Sequence, residues 1–319
     1  MLDLLVTPVE FLLDSTKRVY WLYLLSALLI ASFVVARQTG KLQPLVQLKS
    51  LFDRKYWFAK STYLDYFLMF FNNGMRVLLL IPLFGSHLAL TILVGSFLQD
   101  SLGDAPTLEM SWFYIALLFS TVFFLTEDLS RFLLHYSMHR FNFLWRFHKT
   151  HHSATVLTPF TLFRVHPVEH ILYFARGLLV FGLVSGVFIW LFSGKLTGLQ
   201  VLGVDAFGFA FNMLAANLRH SHIWISFGRF ERIFISPAQH QLHHSKQHRF
   251  ANLGSVLSIW DAWFGTRTFA EKRQKLQFWA TWPILKKLLT LPCKLSVAFP
   301  LSNIHFSISG CEWKSCRYF

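Results

Sequence analysis

The sequence predicts an all-α protein: a polytopic bundle of about four to five transmembrane helices with a histidine-rich helical cap on the cytoplasmic side. The first observation is composition, since 54% of the 319 residues are hydrophobic and only 14% are charged. A soluble domain rarely has so apolar a composition. The second is that apolar stretches of about 18 to 25 residues, long enough to cross a bilayer, recur along the chain. The third is that Lys and Arg concentrate in the short segments between these stretches, as in membrane proteins with basic cytoplasmic loops.

Five apolar segments are the candidate spans, in chain order 19–36, 76–98, 111–134, 171–192 and 199–214. The first is followed by Arg37-Gln-Thr-Gly-Lys41 rather than by a small-residue cleavage site, so we expect it to be retained and not removed as a signal peptide. Segment 63–71 either extends the second span or lies in the membrane interface. The fifth segment is short and carries Asp205 and Asn212, so it is either tilted, re-entrant or buried among other helices.

Charge in the connecting segments predicts the orientation. The segment between the first two spans should be cytoplasmic because it contains the basic residues Arg37, Lys41, Lys49, Arg54, Lys55 and Lys60. The next loop contains Asp100, Asp104 and Glu109 without a basic residue, and should lie on the other side. Lys17 and Arg18 favour the opposite orientation but are outnumbered. The net charge of +14 does not indicate nucleic-acid binding, which requires basic clusters on soluble modules.

Three clusters of histidine follow the predicted spans. His135 and His139 are four residues apart at the end of the third span, and both His148-Lys-Thr-His-His152 and His240-Gln-Leu-His-His244 have an i, i+3, i+4 spacing. Residues four apart on a helix share one face, so their imidazoles can reach one metal ion. Two crossings separate the second cluster from the third, so all three clusters should reach the same membrane face.

These eight imidazoles are too many for one zinc ion, which takes four ligands or three ligands and a water. They suit two metal ions, and imidazole ligands with open positions suit iron that binds oxygen. No cysteine accompanies the histidines, since Cys293, Cys311 and Cys316 all lie near the C-terminus. The cap is therefore predicted to be a di-metal centre with nitrogen and oxygen ligands.

The motifs stand in a fixed order between about Glu127 and Thr268. They are Asp128 ahead of His135-x-x-x-His139-Arg140, Leu144-Trp-Arg-Phe-His-Lys-Thr-His-His-Ser153, His166-Pro-Val-Glu169, His220-Ser-His222, Ser236-Pro-Ala-Gln-His-Gln-Leu-His-His-Ser245 and Ile259-Trp-Asp-Ala-Trp-Phe-Gly-Thr266. In this order they resemble the fatty acid hydroxylase and sterol desaturase superfamily of membrane di-iron oxygenases. The resemblance implies nine metal ligands: His135, His139, His148, His151, His152, His220, His240, His243 and His244.

Four further residues are candidates for orienting those ligands: Asp128, His166, His222 and Asp261. Asp128 lies seven residues before His135, two helical turns along the same face, and can accept an imidazole N–H there. Asp261 can do the same for a later box, or can cap the local turn. His222 stands where many members of the superfamily have Asn, and His166 is either an orienting residue or a structural one.

The resemblance also implies the organisation and the chemistry. It divides the chain into an N-terminal membrane region with two spans (1–110), a catalytic region (111–270) and a divergent C-terminal tail (271–319). The implied cofactors are two iron ions with O2 as co-substrate, and the implied reaction hydroxylates or desaturates a membrane lipid such as a sterol or fatty acyl chain. Since the chain has no flavin, haem or nicotinamide motif, electrons should come from a separate donor, a reductase or a cytochrome b5-like or ferredoxin-like protein.

Two other classes of function remain as alternatives. A membrane zinc hydrolase would need a general-base Glu within its ligand set, as in His-Glu-x-x-His, and the sequence has no such motif. A metal transporter or sensor would place histidines along the spans, whereas these cluster beyond the span ends.

Overall fold

A computed structural model describes residues 10–40, 49, 52–105, 108, 110–192, 198, 200–201, 204–221 and 223–270. The predicted tail 271–319 and His222 lie outside these residues. The described chain is helical, as predicted. Paired strands within it are limited to the two-residue antiparallel pair β1 (Gln200–Val201) and β2 (Val204–Asp205).

The described residues contain eleven α-helices. In chain order they are α1 (Trp21–Thr39), α2 (Arg54–Trp57), α3 (Lys60–Met75), α4 (Ile81–Phe84), α5 (His87–Leu102), α6 (Trp112–Arg140), α7 (Asn142–His152), α8 (Pro167–Leu191), α9 (Ala206–Leu214), α10 (Pro237–His243) and α11 (Ile259–Trp263). A π-helical turn, Arg76–Leu80, joins α3 to α4. Short 3-10 helices form at Pro159–Phe163, Ala216–Leu218 and Gly228–Arg232.

Three helical runs are long and apolar enough to cross a bilayer: Lys60–Leu102, Trp112–Arg140 and Pro167–Leu191. The first extends the predicted second span back to Lys60, one of the two expectations for segment 63–71. Large apolar side chains on these runs face outward, and Leu93 and Phe97 of α5 are 64% and 65% exposed. An apolar helix surface of this kind is stable in lipid, where every backbone polar group is bonded within the helix. The part of the prediction that concerns a membrane helix bundle is thus supported.

Close helix packing holds these runs together. On α8, Gly182 lies against Leu90 of α5, and Gly186 lies against Val94, so that a Cβ added at either glycine would come within 2.6 Å of its neighbour. Small residues four apart allow such close approach between membrane helices. Helix α6 packs against the other side of α8, and there Arg176 donates to the carboxylate of Glu127 at 2.7 Å. The C-terminal half of α6 therefore lies beside the N-terminal half of α8.

The predicted fifth span, 199–214, is not a spanning helix. It comprises the β1–β2 pair and the nine-residue α9. Helix α9 begins where it does because the Asp205 carboxylate accepts a hydrogen bond from the Gly208 N–H at 2.9 Å, which caps the helix N-terminus. Helix α9 nevertheless runs alongside α6, since Phe207 contacts Phe124, and the chain then continues to the histidine region.

The predicted first span, 19–36, is a helix, but a shorter apolar one than the three runs. Arg18, before α1, and Ala31, in the middle of it, contact the same short stretch of chain near the histidines. The Arg18 carbonyl accepts from the side-chain amide of Asn217 at 2.7 Å, and Ala31 packs with Leu218 and Ile223. The sequence predicts four to five spans, whereas the described residues contain three helical runs long enough to cross a bilayer.

Candidate metal centre

Four segments bring the nine predicted ligands to one place. His135 and His139 occupy the last turns of α6, the second box lies on α7, and the third lies on α10 and the residue after it. His220 follows the 3-10 turn that ends at Leu218. Helix α10 is started by a capping box, in which Ser236 and Gln239 bond to each other's backbone N–H groups at 3.1 and 3.0 Å. All nine imidazoles are buried.

The histidines divide into two clusters. Within each, one ring nitrogen from every member lies within 4.8 Å of the others. We call them the five-histidine cluster, which contains His135, His139, His148, His152 and His243, and the four-histidine cluster, which contains His151, His220, His240 and His244. The second and third boxes each contribute to both clusters.

Nitrogen–nitrogen distances in the five-histidine cluster are those of ligands around one ion. The Nε2 atom of His148 lies 3.0 Å from Nε2 of His135 and 3.2 Å from Nε2 of His152. Two nitrogens bound to one ion at about 2.0–2.1 Å are themselves roughly 3.0–3.4 Å apart. In the four-histidine cluster, the Nε2 atoms of His220, His240 and His244 are 3.1–3.2 Å from one another.

The proton positions inferred from the partners of Nδ1 show that these contacts suit a bound cation. His135 Nδ1 is 2.7 Å from the Leu253 carbonyl, and His148 Nδ1 is 2.7 Å from the Glu169 carboxylate. The Leu253 carbonyl only accepts, so His135 Nδ1 carries the proton and its Nε2 presents a lone pair. When Glu169 is ionised, its carboxylate likewise accepts from His148 Nδ1, which leaves a lone pair on His148 Nε2. Two lone pairs that face each other at 3.0 Å cannot share a hydrogen bond. A metal ion between them satisfies both, and the residues therefore fit a bound metal.

Burial keeps the imidazoles in the form that binds metal. Loss of hydration lowers the pKa of His148 and of His151 to about 3, and burial together with the neighbouring imidazoles holds the pKa of His244 well below its ordinary value. A neutral imidazole is the metal-binding species. The Nδ1 atoms of His240 and His244 and Nε2 of His243 are buried without a hydrogen-bond partner in the described part of the chain.

A shell of backbone and side-chain acceptors holds the rings. Besides the partners of His135 and His148, His151 Nδ1 is 3.3 Å from the Arg164 carbonyl and His243 Nδ1 is 2.9 Å from the Ala251 carbonyl. Such outer contacts set the orientation and basicity of a ligating imidazole. Glu169 and Arg164 are functional residues that the sequence analysis did not identify as such. Glu169 was visible only as the last residue of the His166-Pro-Val-Glu169 motif.

Arg164 joins the second box to the first spanning run. Its fully buried guanidinium donates to the Asp65 carboxylate and to the carbonyl and hydroxyl of Ser61 on α3. A buried arginine is stable when a carboxylate and further acceptors surround it. The carbonyl that orients His151 is thereby fixed to α3.

Two of the predicted orienting residues have other partners. The Asp128 carboxylate accepts from the backbone N–H groups of Val256 and Leu257 and from the Trp260 indole, at 2.8–3.0 Å, and not from His135 as predicted. Its face of α6 is turned toward the loop before α11, so the ring of His135 instead donates to Leu253 in that loop.

Asp261 caps that same loop, which was one of its two predicted roles. Its carboxylate accepts from the N–H groups of Leu253 and Gly254 at 2.6 and 2.8 Å. It therefore fixes the backbone that orients His135 without touching an imidazole itself. His166 caps α8, where its Nδ1 accepts from the Val168 N–H at 3.1 Å.

A cavity of about 320 Å³ opens beside the clusters. It is lined by His135, His148 and His151, by apolar residues of α3 such as Leu68 and Met69, and by several basic side chains. It is the space in which a substrate can approach both histidine clusters.

Comparison with known proteins bears on this site. Residues 120–266, which include all nine histidines, match the family model for fatty acid hydroxylases. The chain is similar to the ornithine lipid hydroxylase OlsE of Rhizobium tropici, at 30% identity over 140 residues. That match covers 42% of this chain and 37% of the relative, so the chain spans little more than a third of the relative's length. No solved structure matches the chain significantly. The superfamily resemblance is confirmed for the region that carries the histidines.

Proposed function

We propose, because residues 120–266 match the fatty acid hydroxylase family, that this chain is a membrane-bound di-iron oxygenase that uses O2 to hydroxylate a lipid. The observation that carries the proposal is the pair of buried histidine clusters, in which unprotonated Nε2 atoms face one another at 3.0–3.2 Å. The name of the relative, an ornithine lipid hydroxylase, favours hydroxylation over desaturation.

The five-histidine cluster would hold one iron ion and the four-histidine cluster the other. Iron bound in this way supplies activation of O2 and one-electron oxidation of an unactivated C–H bond. Burial keeps the imidazoles unprotonated, and the Glu169 carboxylate and the carbonyls of Leu253 and Ala251 orient them. The cavity beside the two histidine clusters is the route by which a substrate would reach them.

The position of the substrate would decide between hydroxylation and desaturation, the two reactions found in the superfamily. Hydroxylation needs one C–H bond held near the metal ions, and desaturation needs two adjacent ones. Burial of all nine imidazoles excludes bulk water from the site, which suppresses side reactions. The apolar wall from Leu68 and Met69 suits a lipid chain.

Electron supply and location complete the proposal. A separate reductase, cytochrome b5-like or ferredoxin-like protein would deliver the electrons, because the sequence has no motif for flavin, haem or nicotinamide. The clusters would face the cytoplasm, as the basic residues between Arg37 and Lys60 predict.

The test uses the purified full chain, loaded with iron and incubated with reductant, extracted membrane lipids and ¹⁸O2. We expect two metal ions per folded chain and a hydroxylated lipid that carries the label. An unlabelled alkene formed with oxygen consumption would assign desaturation instead. A product oxygen that comes only from water, without consumption of O2, would refute the oxygenase and favour a zinc hydrolase.

A further inference from the structure

Basic side chains gather in the same cavity as the metal-binding histidines. The 320 Å³ space is lined by His135, His148 and His151 and also by five cations: Lys17, Arg18, Arg76, Arg131 and Arg219. Among its lining residues, Glu169 is the one carboxylate, and its Oε1 already accepts from His148 at 2.7 Å. The cavity is therefore strongly positive.

Two of the five cations are neutralised within the protein. Lys17 lies 3.4 Å from the Asp14 carboxylate, and Arg131 lies 2.6 Å from the Glu127 carboxylate. Arg18, Arg76 and Arg219 have no carboxylate partner among the described residues. Arg76 stands within the first spanning run, where an unpaired charge is costly and usually functional. It also begins the π-helical turn, a feature common at binding sites.

Unpartnered polar atoms in the cavity wall point to the same conclusion. Arg219 is 3% exposed, and its guanidinium donates to the Ser255 carbonyl and packs over Phe211, yet its Nε has no hydrogen-bond partner in the described chain. Asn73, which is 7% exposed, likewise leaves its donor Nδ2 without an acceptor there, whereas the unpartnered atom of Asn72 is the acceptor Oδ1. A buried donor without an acceptor is destabilising unless a ligand supplies one.

We infer that this cavity binds the anionic group, carboxylate or phosphate, of the lipid substrate. Arg18, Arg76 and Arg219 supply the charge, and Arg219 and Asn73 in the same wall each have a donor that no described acceptor satisfies, an arrangement that suits a multi-oxygen anion. Because His135, His148 and His151 line the same small cavity, the carbon that is oxidised lies within a few bonds of the anionic group. This inference rests on the proposed function, whose lipid it restricts to an anionic or zwitterionic class.

Binding can be measured without turnover. Metal-loaded full-length protein in neutral maltoside detergent would be titrated with short-chain probes while its melting temperature is followed. The probes are N-lauroylglycine, which carries a carboxylate, dihexanoyl phosphatidylglycerol, which carries a net anionic phosphate, the neutral N-lauroylethanolamine, and inorganic phosphate. We expect the two anionic lipids to bind at least about tenfold more tightly than the neutral amide.

Variants locate the site. Arg76→Gln and Arg219→Gln should each weaken anionic-lipid binding by about tenfold and leave binding of the neutral amide unchanged. Arg229→Gln, at an exposed position outside the cavity, is the matched control and should bind like the parent. Arg76 lies on a different segment from Arg219, so a folding defect in one variant does not remove the test.

Each outcome separates this inference from the proposed function. Equal affinity for all lipids, or inorganic phosphate binding as tightly as the anionic lipids, would overturn the inference. Oxygenase activity that acts equally on neutral lipids would overturn it too and leave the proposed function intact. If the protein lacks oxygenase activity but binds anionic lipids through Arg76 and Arg219, the anion site is supported and the proposed oxygenase function is refuted.

Discussion

Glu169 is the residue on which the orientation of His148 depends. It is 2% exposed, and its only hydrogen-bonded oxygen, Oε1, accepts from His148 Nδ1. A carboxylate in this position directs the imidazole lone pair and raises its basicity. Its other oxygen has no partner in the described residues. Glu169 therefore belongs to the metal centre, although it would not touch a metal ion.

Replacement of Glu169 should affect metal binding before it affects folding. Glu169→Ala should lower metal affinity and turnover by about 10- to 100-fold, because His148 loses the acceptor that holds its ring. Glu169→Gln keeps an acceptor oxygen and should lose much less. Metal per chain after dialysis against a chelator measures the effect, with exposed Glu10→Ala as the control. Full metal retention in Glu169→Ala would contradict this role.

Asp128 should be a residue of stability and not of ligand orientation. Asp128→Ala leaves three donors, the N–H groups of Val256 and Leu257 and the Trp260 indole, without their acceptor. At about 1–3 kcal/mol for each buried donor, the free energy of unfolding should fall by at least about 2 kcal/mol. Denaturant unfolding in detergent measures it, and the variant Glu10→Ala, at an exposed position, should change little. A stable Asp128→Ala protein that lacks metal would restore the original prediction.

At the scale of the element, the spacing of residues within a helix correctly predicted which histidines lie together. Contacts between elements could not be predicted from the sequence. The i, i+3, i+4 pattern on α7 and α10 indicated which imidazoles share a face, and the structure brings all nine predicted residues together. Their role as ligands stays a prediction. Glu169 and Arg164 act across elements, on α7 and α3, and no local pattern marks such partners. The prediction of a fifth span was wrong because a run of apolar residues does not reveal that Asp205 caps the start of a short helix.

Close packing of α8 on α5 should be sensitive to a single methyl group. A Cβ at Gly186 would lie 2.6 Å from Val94 Cβ and 3.0 Å from the Thr91 carbonyl, so Gly186→Ala forces the helices apart. Gly177, on the same helix, has nothing within 4 Å of its added Cβ. We expect Gly186→Ala to cost about 1–3 kcal/mol and Gly177→Ala to be neutral or slightly stabilising. Thermal unfolding in the same detergent compares them, and equal melting temperatures would refute the packing argument.

At the scale of the whole molecule, helix α1 bears on the orientation in the membrane. The Arg18 carbonyl before α1 accepts from Asn217, and Lys17 and Arg18 line the cavity beside the histidines, so the basic residues before α1 lie on the side of the histidines. If the histidines face the cytoplasm as proposed, Lys17 and Arg18 face it too.

Accessibility labelling tests this orientation. In a cysteine-free background, a cysteine at Lys246 should react only from the cytoplasmic side, and a cysteine at Asp104 only from the other side. A cysteine at Glu10, before α1, should label like position 246 if α1 does not cross. Labelling of positions 104 and 246 from the same side would refute the topology. Labelling of position 10 with position 104 would show that α1 spans the bilayer.

The division of each histidine box between the two clusters couples the two metal positions. Helix α7 gives His148 and His152 to one cluster and His151 to the other, and α10 with the residue after it gives His243 to one and His240 and His244 to the other. An ion in either position therefore restrains the helices that form the second position, and by thermodynamic linkage the coupling is reciprocal. Iron uptake by the metal-free protein should be sigmoidal, and native mass spectrometry at half saturation should find chains with no ion or two ions and few with one. Loss of either ion would then empty both positions, so the protein would switch between inactive and fully loaded forms without a half-active intermediate.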